Sequence, residues 1–194
     1  NPVSNADGKP MRKIKIAAGL AHVDYGNIAD LVKQVTVAGA DYIHSDAADM
    51  HDLKNMQLMG GHQIISGIRK QTKLPIECHI YTKTCDILFI DKLAEVGTNM
   101  LIIPAEHFIG APLAYIINWC RERNMKIGLT IGLYTPLSFV EESIYDIDRL
   151  HVVVHGVDET DGKDNWGWRK SCLDLLHRAR TVSYTHLTLP TIGC

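Results

Sequence analysis

The sequence predicts an α/β fold in which short parallel strands alternate with helices and curl into a barrel. Runs of β-branched and aliphatic residues alternate six times with longer amphipathic segments, which is typical of repeated βαβ units. Within several strands one alternating set of side chains is aliphatic and the other is polar or small. An open, doubly wound sheet buries both faces with apolar residues, so the barrel is preferred and the open sheet is the second choice.

The first two units are delimited by apolar periodicity and by glycine. Strand one covers residues 14–18, and its helix covers residues 27–38, where Ile28, Leu31, Val32 and Val35 form one apolar stripe before Gly39. The second unit pairs a strand over residues 42–46 with a helix over residues 61–71.

The remaining four units show the same alternation of a short strand and a longer helix. Pro75 and Gly97 mark the start and the end of the third unit. The predicted strands are residues 76–80, 100–103, 127–131 and 150–154, and their helices are residues 85–96, 112–124, 137–145 and 168–180. A polar loop over residues 156–165 separates the last strand from its helix.

Alternation along the strands predicts which side chains face the interior of the barrel. Ile43, Ile76, Cys78 and Ile80 are expected to face the helices. The interior set is polar or small and consists of Tyr42, His44, Asp46, Glu77, His79, Tyr81, Gly128 and Thr130.

Composition sets limits on the class of protein. At 46% hydrophobic and 22% charged residues, the 194-residue chain has the balance of one globular domain. A net charge of −2 and the lack of a basic run argue against nucleic acid as a partner. The apolar runs are far shorter than the roughly 18 residues of a spanning helix, so no membrane partner is expected.

Cysteine usage and the N-terminus favour a reducing compartment. The five cysteines are odd in number and include no CxxC pair, which argues against a disulfide framework or a thiolate zinc site. Residues 1–13 are polar and lack the apolar centre of a secretory signal. We therefore expect a cytoplasmic protein.

Three interior side chains form a candidate metal site. His44, Asp46 and His79 fall near the carboxyl ends of neighbouring strands, where barrel enzymes carry their chemistry. Two imidazoles and a carboxylate are a ligand set for a divalent cation, and the HxD spacing points His44 and Asp46 the same way. A pair of hydrogen-bonded interior polar groups would give the same pattern, so spacing alone leaves both interpretations open.

Two longer segments around these residues resemble a known family. Residues 38–49 read AGADYIHSDAAD and are similar to the AGADWIHxDVMDG segment of ribulose-phosphate 3-epimerases, while residues 74–80 read LPIECHI and resemble that family's LPxDVHLM segment. Supporting matches are Asp24-Tyr25, Asn55, Ala105-Glu106-His107, Gly128 and Thr135-Pro136-Leu137. The resemblance runs from about Lys13 to Arg180 and implies a TIM (β/α)8 barrel of the ribulose-phosphate-binding type.

The resemblance also implies a chemistry. In that family the HxD pair, the third-strand histidine and an aspartate on strand seven bind zinc, iron or manganese, and the two aspartates exchange the C3 proton of a ketose phosphate through an enediolate. It follows that His44, Asp46 and His79 are expected metal ligands and that Asp46 is an expected catalytic acid/base. Self-association into a homo-oligomer is expected as well.

Several positions depart from the family pattern and bear on the substrate. Gly19 stands at a serine position, Ala48 and Tyr81 stand at methionine positions, and residues 156–166 replace a glycine-rich flap. These changes leave open whether the substrate is ribulose 5-phosphate or a related pentulose or hexulose phosphate. We expect His22, Tyr81 and His155 to contact it.

The two ends of the chain also depart from the family. We expect a polar extension at residues 1–12, a partial barrel over residues 13–182 with about six βα units, and an artefactual tail at residues 183–194, which resemble a translated sequencing adapter. On this interpretation the chain is truncated before the second catalytic aspartate and the phosphate-binding turns. The 194-residue chain alone is therefore expected to be poorly stable and to lack epimerase activity.

Two other functions remain open from the sequence. One is a non-catalytic sugar-phosphate-binding barrel, favoured by the lost serine and methionines. The other is a relative of the decarboxylase and hexulose-phosphate synthase group, which uses a DxKxxD motif on strand three where this chain has Glu77-Cys-His-Ile-Tyr-Thr-Lys83.

Overall fold

The computed structural model describes residues 14–21, 23–48, 60–132, 135–153 and 170–184. These residues form six strands and six α-helices in strict alternation. The strands are β1 (Ala17–Gly19), β2 (Tyr42–Ala48), β3 (Ile76–Tyr81), β4 (Met100–Pro104), β5 (Lys126–Ile131) and β6 (Arg149–Val152). The helices are α1 (Ile28–Val37), α2 (His62–Arg69), α3 (Ile87–Glu95), α4 (Ala111–Glu122), α5 (Ser138–Glu141) and α6 (Lys170–Tyr184).

The six strands pair in sequence order, and every pair is parallel. The sheet is strongly curled, because Arg149 on β6 forms an ion pair with Glu77 on β3 although β4 and β5 lie between them. The predicted α/β barrel architecture is confirmed as a half-barrel of six strands, and the open, doubly wound sheet is not what forms.

The hydrophobic core lies between the convex face of the sheet and the helices. Ile43, Ile76, Cys78 and Ile80 are fully buried there, as the alternation predicts, together with Leu101, Ile103, Ile127, Leu129 and Ile131 from later strands. The helices contribute buried aliphatic residues that include Val32, Ile65, Ile90 and Ile116. On β2 and β3 the concave face is thereby left to the polar set, and this separation positions the candidate site.

Polar residues just before alternate strands lock the register of the sheet. Asp41, before β2, accepts a hydrogen bond from the backbone N–H of Ile16 at 2.9 Å. Asn99, before β4, accepts one from Ile76 at 2.8 Å, and Asp148, before β6, accepts one from Ile127 at 2.9 Å. Each carboxyl or amide oxygen thus satisfies a donor at the start of the preceding strand, in a pattern that repeats every two units.

Several elements differ from their predicted bounds by a few residues, among them β1 and α5. The predicted first strand begins at Ile14, but β1 begins at Ala17, and Ile14 and Ile16 are 68% and 61% exposed. The predicted fifth helix ends at Tyr145, but α5 ends at Glu141. Beyond it the backbone N–H of Ser143 bonds to Val140 and that of Asp146 bonds to Ser143, so the chain tightens into three-residue turns.

The predicted ends of the domain fall partly outside the described residues. Helix α6 continues to Tyr184, two residues into the segment expected to be a tail. Residues 1–12 and 185–194 lie outside the described part of the chain. None of the helices described combines the length and the apolar character that crossing a bilayer requires.

Candidate metal centre

Strands β2 and β3 bring the three predicted ligands together. They run in parallel with Asp46 opposite His79, and His44 lies two residues earlier on the same face of β2. Asp46 Oδ1 lies 3.4 Å from His44 Nε2 and 3.5 Å from His79 Nδ1. All three ligand atoms lie within 4.8 Å of one another, and Asp46 and His79 are buried while His44 is nearly so. The predicted convergence is confirmed.

The second ring nitrogen of His44 has a partner of its own. His44 Nδ1 lies 2.7 Å from Glu77 Oε1, and Glu77 is the residue opposite His44 in the parallel ladder. An ionised carboxylate can only accept a hydrogen bond, so Nδ1–H of His44 donates to it and Nε2 is turned toward Asp46. This is the arrangement that orients a histidine ligand in metal sites.

His79 carries the clearest sign that an ion fits. Its Nε2 lies 2.9 Å from Thr130 Oγ1 on β5. Its Nδ1 is buried and has no hydrogen-bond partner, since the 3.5 Å contact with Asp46 lacks hydrogen-bond geometry. A buried polar atom without a partner is costly, and a metal ion on its lone pair would satisfy it.

Two of the three distances between ligand atoms match a shared cation. Ligands about 2.1 Å from a tetrahedral ion lie about 3.4 Å from each other. The two contacts of Asp46 Oδ1, at 3.4 and 3.5 Å, have this length. His44, Asp46 and His79 would therefore hold a divalent metal as two nitrogen donors and one oxygen donor, a set suited to zinc, iron or manganese.

Electrostatics at the site depend on burial and on the two carboxylates. Burial disfavours the charged ring of His44, but hydrogen bonds and attraction from Asp46 and Glu77 outweigh it and raise the pKa of His44 to about 9. Burial lowers the pKa of His79, which favours the neutral ring. Burial alone would raise the pKa of Asp46, but contacts with both histidines hold it well below its usual range.

Gly60 marks a close approach of the backbone behind the site. Its φ is +62°, and a Cβ there would lie 1.8 Å from the carbonyl oxygen of Asp46. Only glycine fits at this distance, so the chain entering α2 packs directly against the strand that carries the ligands.

Strand β6 contributes two interior residues that sequence reasoning missed. Arg149 is buried and pairs with Glu77, and the His151 ring lies 4.9 Å from the His79 ring and 5.5 Å from the His44 ring, between centroids. The sequence does carry a signal for them, because residues 149–152 alternate between polar and aliphatic side chains, as those of β3 do. The predicted sixth strand begins at Leu150 and therefore excludes Arg149.

Of the three predicted substrate contacts, Tyr81 lies within the described residues, and its contact with a substrate stays a prediction. The Tyr81 ring reaches the site, with its centroid 4.2 Å from that of His79. Burial, and then the negative charge of Asp46, raise the pKa of the Tyr81 hydroxyl, which stays protonated. His22 and His155 lie outside the described residues.

Comparison with known proteins places the chain in a family. The model of the ribulose-phosphate 3 epimerase family matches residues 15–183. Ribulose-phosphate 3-epimerase of Bacillus subtilis is 29% identical over 138 residues, which is 71% of this chain and 61% of that protein. The same enzyme of Buchnera aphidicola is 27% identical over 173 residues, or 89% and 72% of the two chains. In Methanocaldococcus jannaschii the identity is 30% over 140 residues, or 72% and 57%.

Solved structures agree on the barrel architecture. An HpcH/HpaI aldolase from Desulfitobacterium hafniense superposes with a TM-score of 0.62 at 13% identity, covering 93% of this chain and 76% of that one. Orotidine 5'-monophosphate decarboxylase from Methanocaldococcus jannaschii gives 0.59 at 13% identity, covering 93% and 80%. At such low identity the likeness concerns the fold alone. From the family match, which spans most of the sequence, we conclude that the chain belongs to the ribulose-phosphate 3-epimerase family.

Proposed function

We propose that the protein is a metal-dependent epimerase that inverts C3 of a ketose phosphate, ribulose 5-phosphate or a related pentulose or hexulose phosphate. The observation that carries the proposal is the convergence of His44, Asp46 and His79, with an unpartnered buried nitrogen on His79. Family membership supports the same reaction class. Because the chain spans 61% of the Bacillus subtilis relative, the activity of a whole enzyme is part of the proposal.

The metal centre addresses the main barrier of the reaction. A proton next to a ketone is only weakly acidic, so its removal needs stabilisation of the negative charge that develops on the oxygens. A divalent cation, zinc, iron or manganese, supplies that stabilisation when it is bound. The two histidines and Asp46 would hold it on the concave face of the sheet.

Asp46 is the proposed acid/base on one face of the substrate. Its lowered pKa keeps the carboxylate ionised at pH 7, which is the state that accepts a proton from C3 and leaves an enediolate. The same carboxyl group can return the proton only to the face from which it came. Inversion therefore needs a second donor on the opposite face.

Glu77 is not suited to be that second donor. Asp46 and Glu77 are the buried carboxylates of the described residues, and both oxygens of Glu77 are engaged, one by His44 and one by Arg149. We assign the role to the strand-seven aspartate that the family resemblance implies. His22, Tyr81 and His155 are the proposed substrate contacts, and allulose 6-phosphate is a candidate beside ribulose 5-phosphate.

Hydrogen exchange at C3 tests this assignment. In deuterated water the metal-loaded chain is expected to exchange the C3 proton of ribulose 5-phosphate, detected by NMR, while forming little of the C3 epimer. Asp46→Asn should abolish exchange, whereas the exposed control Asp30→Asn should not. Exchange that is undiminished in Asp46→Asn contradicts the proposed role.

Metal analysis separates the epimerase from a non-catalytic sugar-phosphate-binding barrel. We expect one divalent ion per chain, lost in His44→Ala and in His79→Ala but kept in His177→Ala, which changes an exposed ring on α6. A wild-type chain that retains no divalent metal favours the non-catalytic barrel.

A further inference from the structure

Arg149 crosses the interior of the half-barrel. It begins β6 and is 9% exposed, and its Nη1 donates to Glu77 Oε2 on β3. Its guanidinium also lies over the ring of Tyr42 on β2, 5.0 Å from the centroid. A buried arginine is costly to desolvate unless it is paired, and here one side chain contacts two strands far from its own.

Gly128 leaves room for this crossing. It lies opposite Arg149 on β5 and faces the interior. A Cβ at Gly128 would lie 3.3 Å from the carbonyl oxygen of Arg149 and 3.3 Å from Cγ1 of Ile102, tighter than ordinary packing. A larger side chain on β5 would therefore compete with Arg149 for the space between β6 and β3.

The two oxygens of Glu77 connect Arg149 to the metal centre. Oε2 accepts from Arg149, and Oε1 lies 2.7 Å from His44 Nδ1. With Oε2 held, the carboxylate cannot rotate about its terminal bond without breaking the ion pair, so Oε1 stays on His44. The ring of His44 is thereby fixed with Nε2 facing Asp46 at 3.4 Å.

We propose that Arg149 is a positioning residue of the metal centre, which acts through Glu77 to keep His44 oriented for metal binding. The inference rests on the proposed metal-dependent function. Arg149 itself does not touch the ligand atoms, so its effect is on metal affinity and on the state of His44. Neighbours of metal ligands typically change metal affinity by about 10- to 100-fold when they are removed.

Zinc affinity of the full chain, measured by competition with a chromophoric chelator, tests the inference. We expect Arg149→Gln and Glu77→Gln each to weaken binding by about 10- to 100-fold. Arg149→Lys keeps the positive charge but not the planar guanidinium group, so it should recover part of the lost zinc affinity. Arg123→Gln, which removes an arginine paired with Asp91 on the outside of the barrel, is the matched control and should leave affinity unchanged.

A double-mutant cycle distinguishes positioning from a general loss of stability. If Arg149 acts through Glu77, then adding Arg149→Gln to Glu77→Gln weakens zinc binding no further. Nitrogen NMR of His44 gives a second readout: in the zinc-loaded wild type Nδ1 carries the proton, and in Arg149→Gln this single state is lost. Additive losses in the cycle, or an unchanged His44 spectrum, overturn the inference.

The outcomes also separate this inference from the function on which it rests. If the wild type and Arg149→Gln bind zinc with equal affinity, the inference is overturned but the proposed metal centre is not. Failure of the wild type to bind zinc, iron and manganese alike overturns both. If Arg149→Gln does not fold, the zinc affinities of Arg149→Lys and Glu77→Gln test the inference instead. Weaker zinc binding in both variants supports a positioning role for Arg149, and wild-type affinity in both contradicts it.

Discussion

Thr130 Oγ1 lies 2.9 Å from His79 Nε2, although the two residues are 51 positions apart in the chain and β4 lies between their strands. This contact engages one of the two ring nitrogens of His79. If Nε2 donates to Thr130, the lone pair is on Nδ1, the buried atom without a partner. The orientation of a proposed ligand is thus set by a residue two strands away.

Removal of this hydroxyl is expected to weaken metal binding. Thr130→Val keeps the shape of the side chain and deletes the partner of Nε2, so His79 can adopt either tautomer or rotate. We expect zinc affinity to fall by about 10-fold, by the same reasoning as for other neighbours of metal ligands. Thr130→Ser is the matched control, since it keeps the hydroxyl, and isothermal titration with zinc makes the comparison. Equal affinity in Thr130→Val would show that the contact has no orienting role.

Metal affinity is expected to rise with pH. The pKa of His44 in the metal-free protein is about 9, so at pH 7 its ring carries a proton that a metal ion must displace from Nε2. Affinity should therefore increase about tenfold per pH unit up to about pH 9 and then level off. Cobalt titrations at several pH values, and the proton release measured in buffers of different ionisation enthalpy, provide the check. Affinity that is independent of pH between 7 and 9 contradicts this account of His44.

Stability of the metal-free protein should change with pH in the opposite sense. The pKa of His44 is raised from 6.5 to about 9 on folding, so the folded state binds this proton more tightly than the unfolded chain does. The stabilisation is fully present below pH 6.5 and is lost as the pH rises through 9. Thermal unfolding in the presence of a chelator should show a falling midpoint over this range, and His44→Gln should flatten the change. A midpoint that rises over the same range contradicts the prediction.

The register lock at Asn99 gives a test of the fold. Asn99 Oδ1 accepts from the backbone N–H of Ile76 at 2.8 Å and from Arg69 at 2.9 Å. Asn99→Ala leaves the N–H of a buried residue unsatisfied, which costs about 1–3 kcal/mol in the free energy of unfolding. Asn99→Asp restores the acceptor that Asp41 and Asp148 supply at the equivalent positions, and should recover most of the loss. Urea unfolding of the wild type and the two variants measures the change in the free energy of unfolding. If Asn99→Ala is as stable as the wild type, the Asn99 side chain has no structural role.

The sequence specified the concave face of β3 correctly. Strict alternation placed Glu77, His79 and Tyr81 on one side, and the structure buries Ile76, Cys78 and Ile80 on the other. Local periodicity suffices here because both faces of a barrel strand have distinct surroundings. The HxD spacing and the parallel register then bring His44, Asp46 and His79 together.

The partners of these ligands could not be predicted in the same way. The bond between His44 and Glu77 depends on the register of β2 against β3, and the contact between His79 and Thr130 depends on the curl of the sheet. Neither quantity is encoded by local spacing. Arg149 was missed for a different reason: a charged residue at the start of a strand resembles a loop residue until its ion pair with Glu77 is seen.

The most direct test of the central claim is the anomalous scattering of zinc in crystals of the chain. We expect one peak within about 2.0–2.2 Å of His44 Nε2, an Asp46 carboxylate oxygen and His79 Nδ1. His79 Nε2 should remain hydrogen-bonded to Thr130. A peak elsewhere, or zinc held through His79 Nε2 with the bond to Thr130 broken, would contradict it.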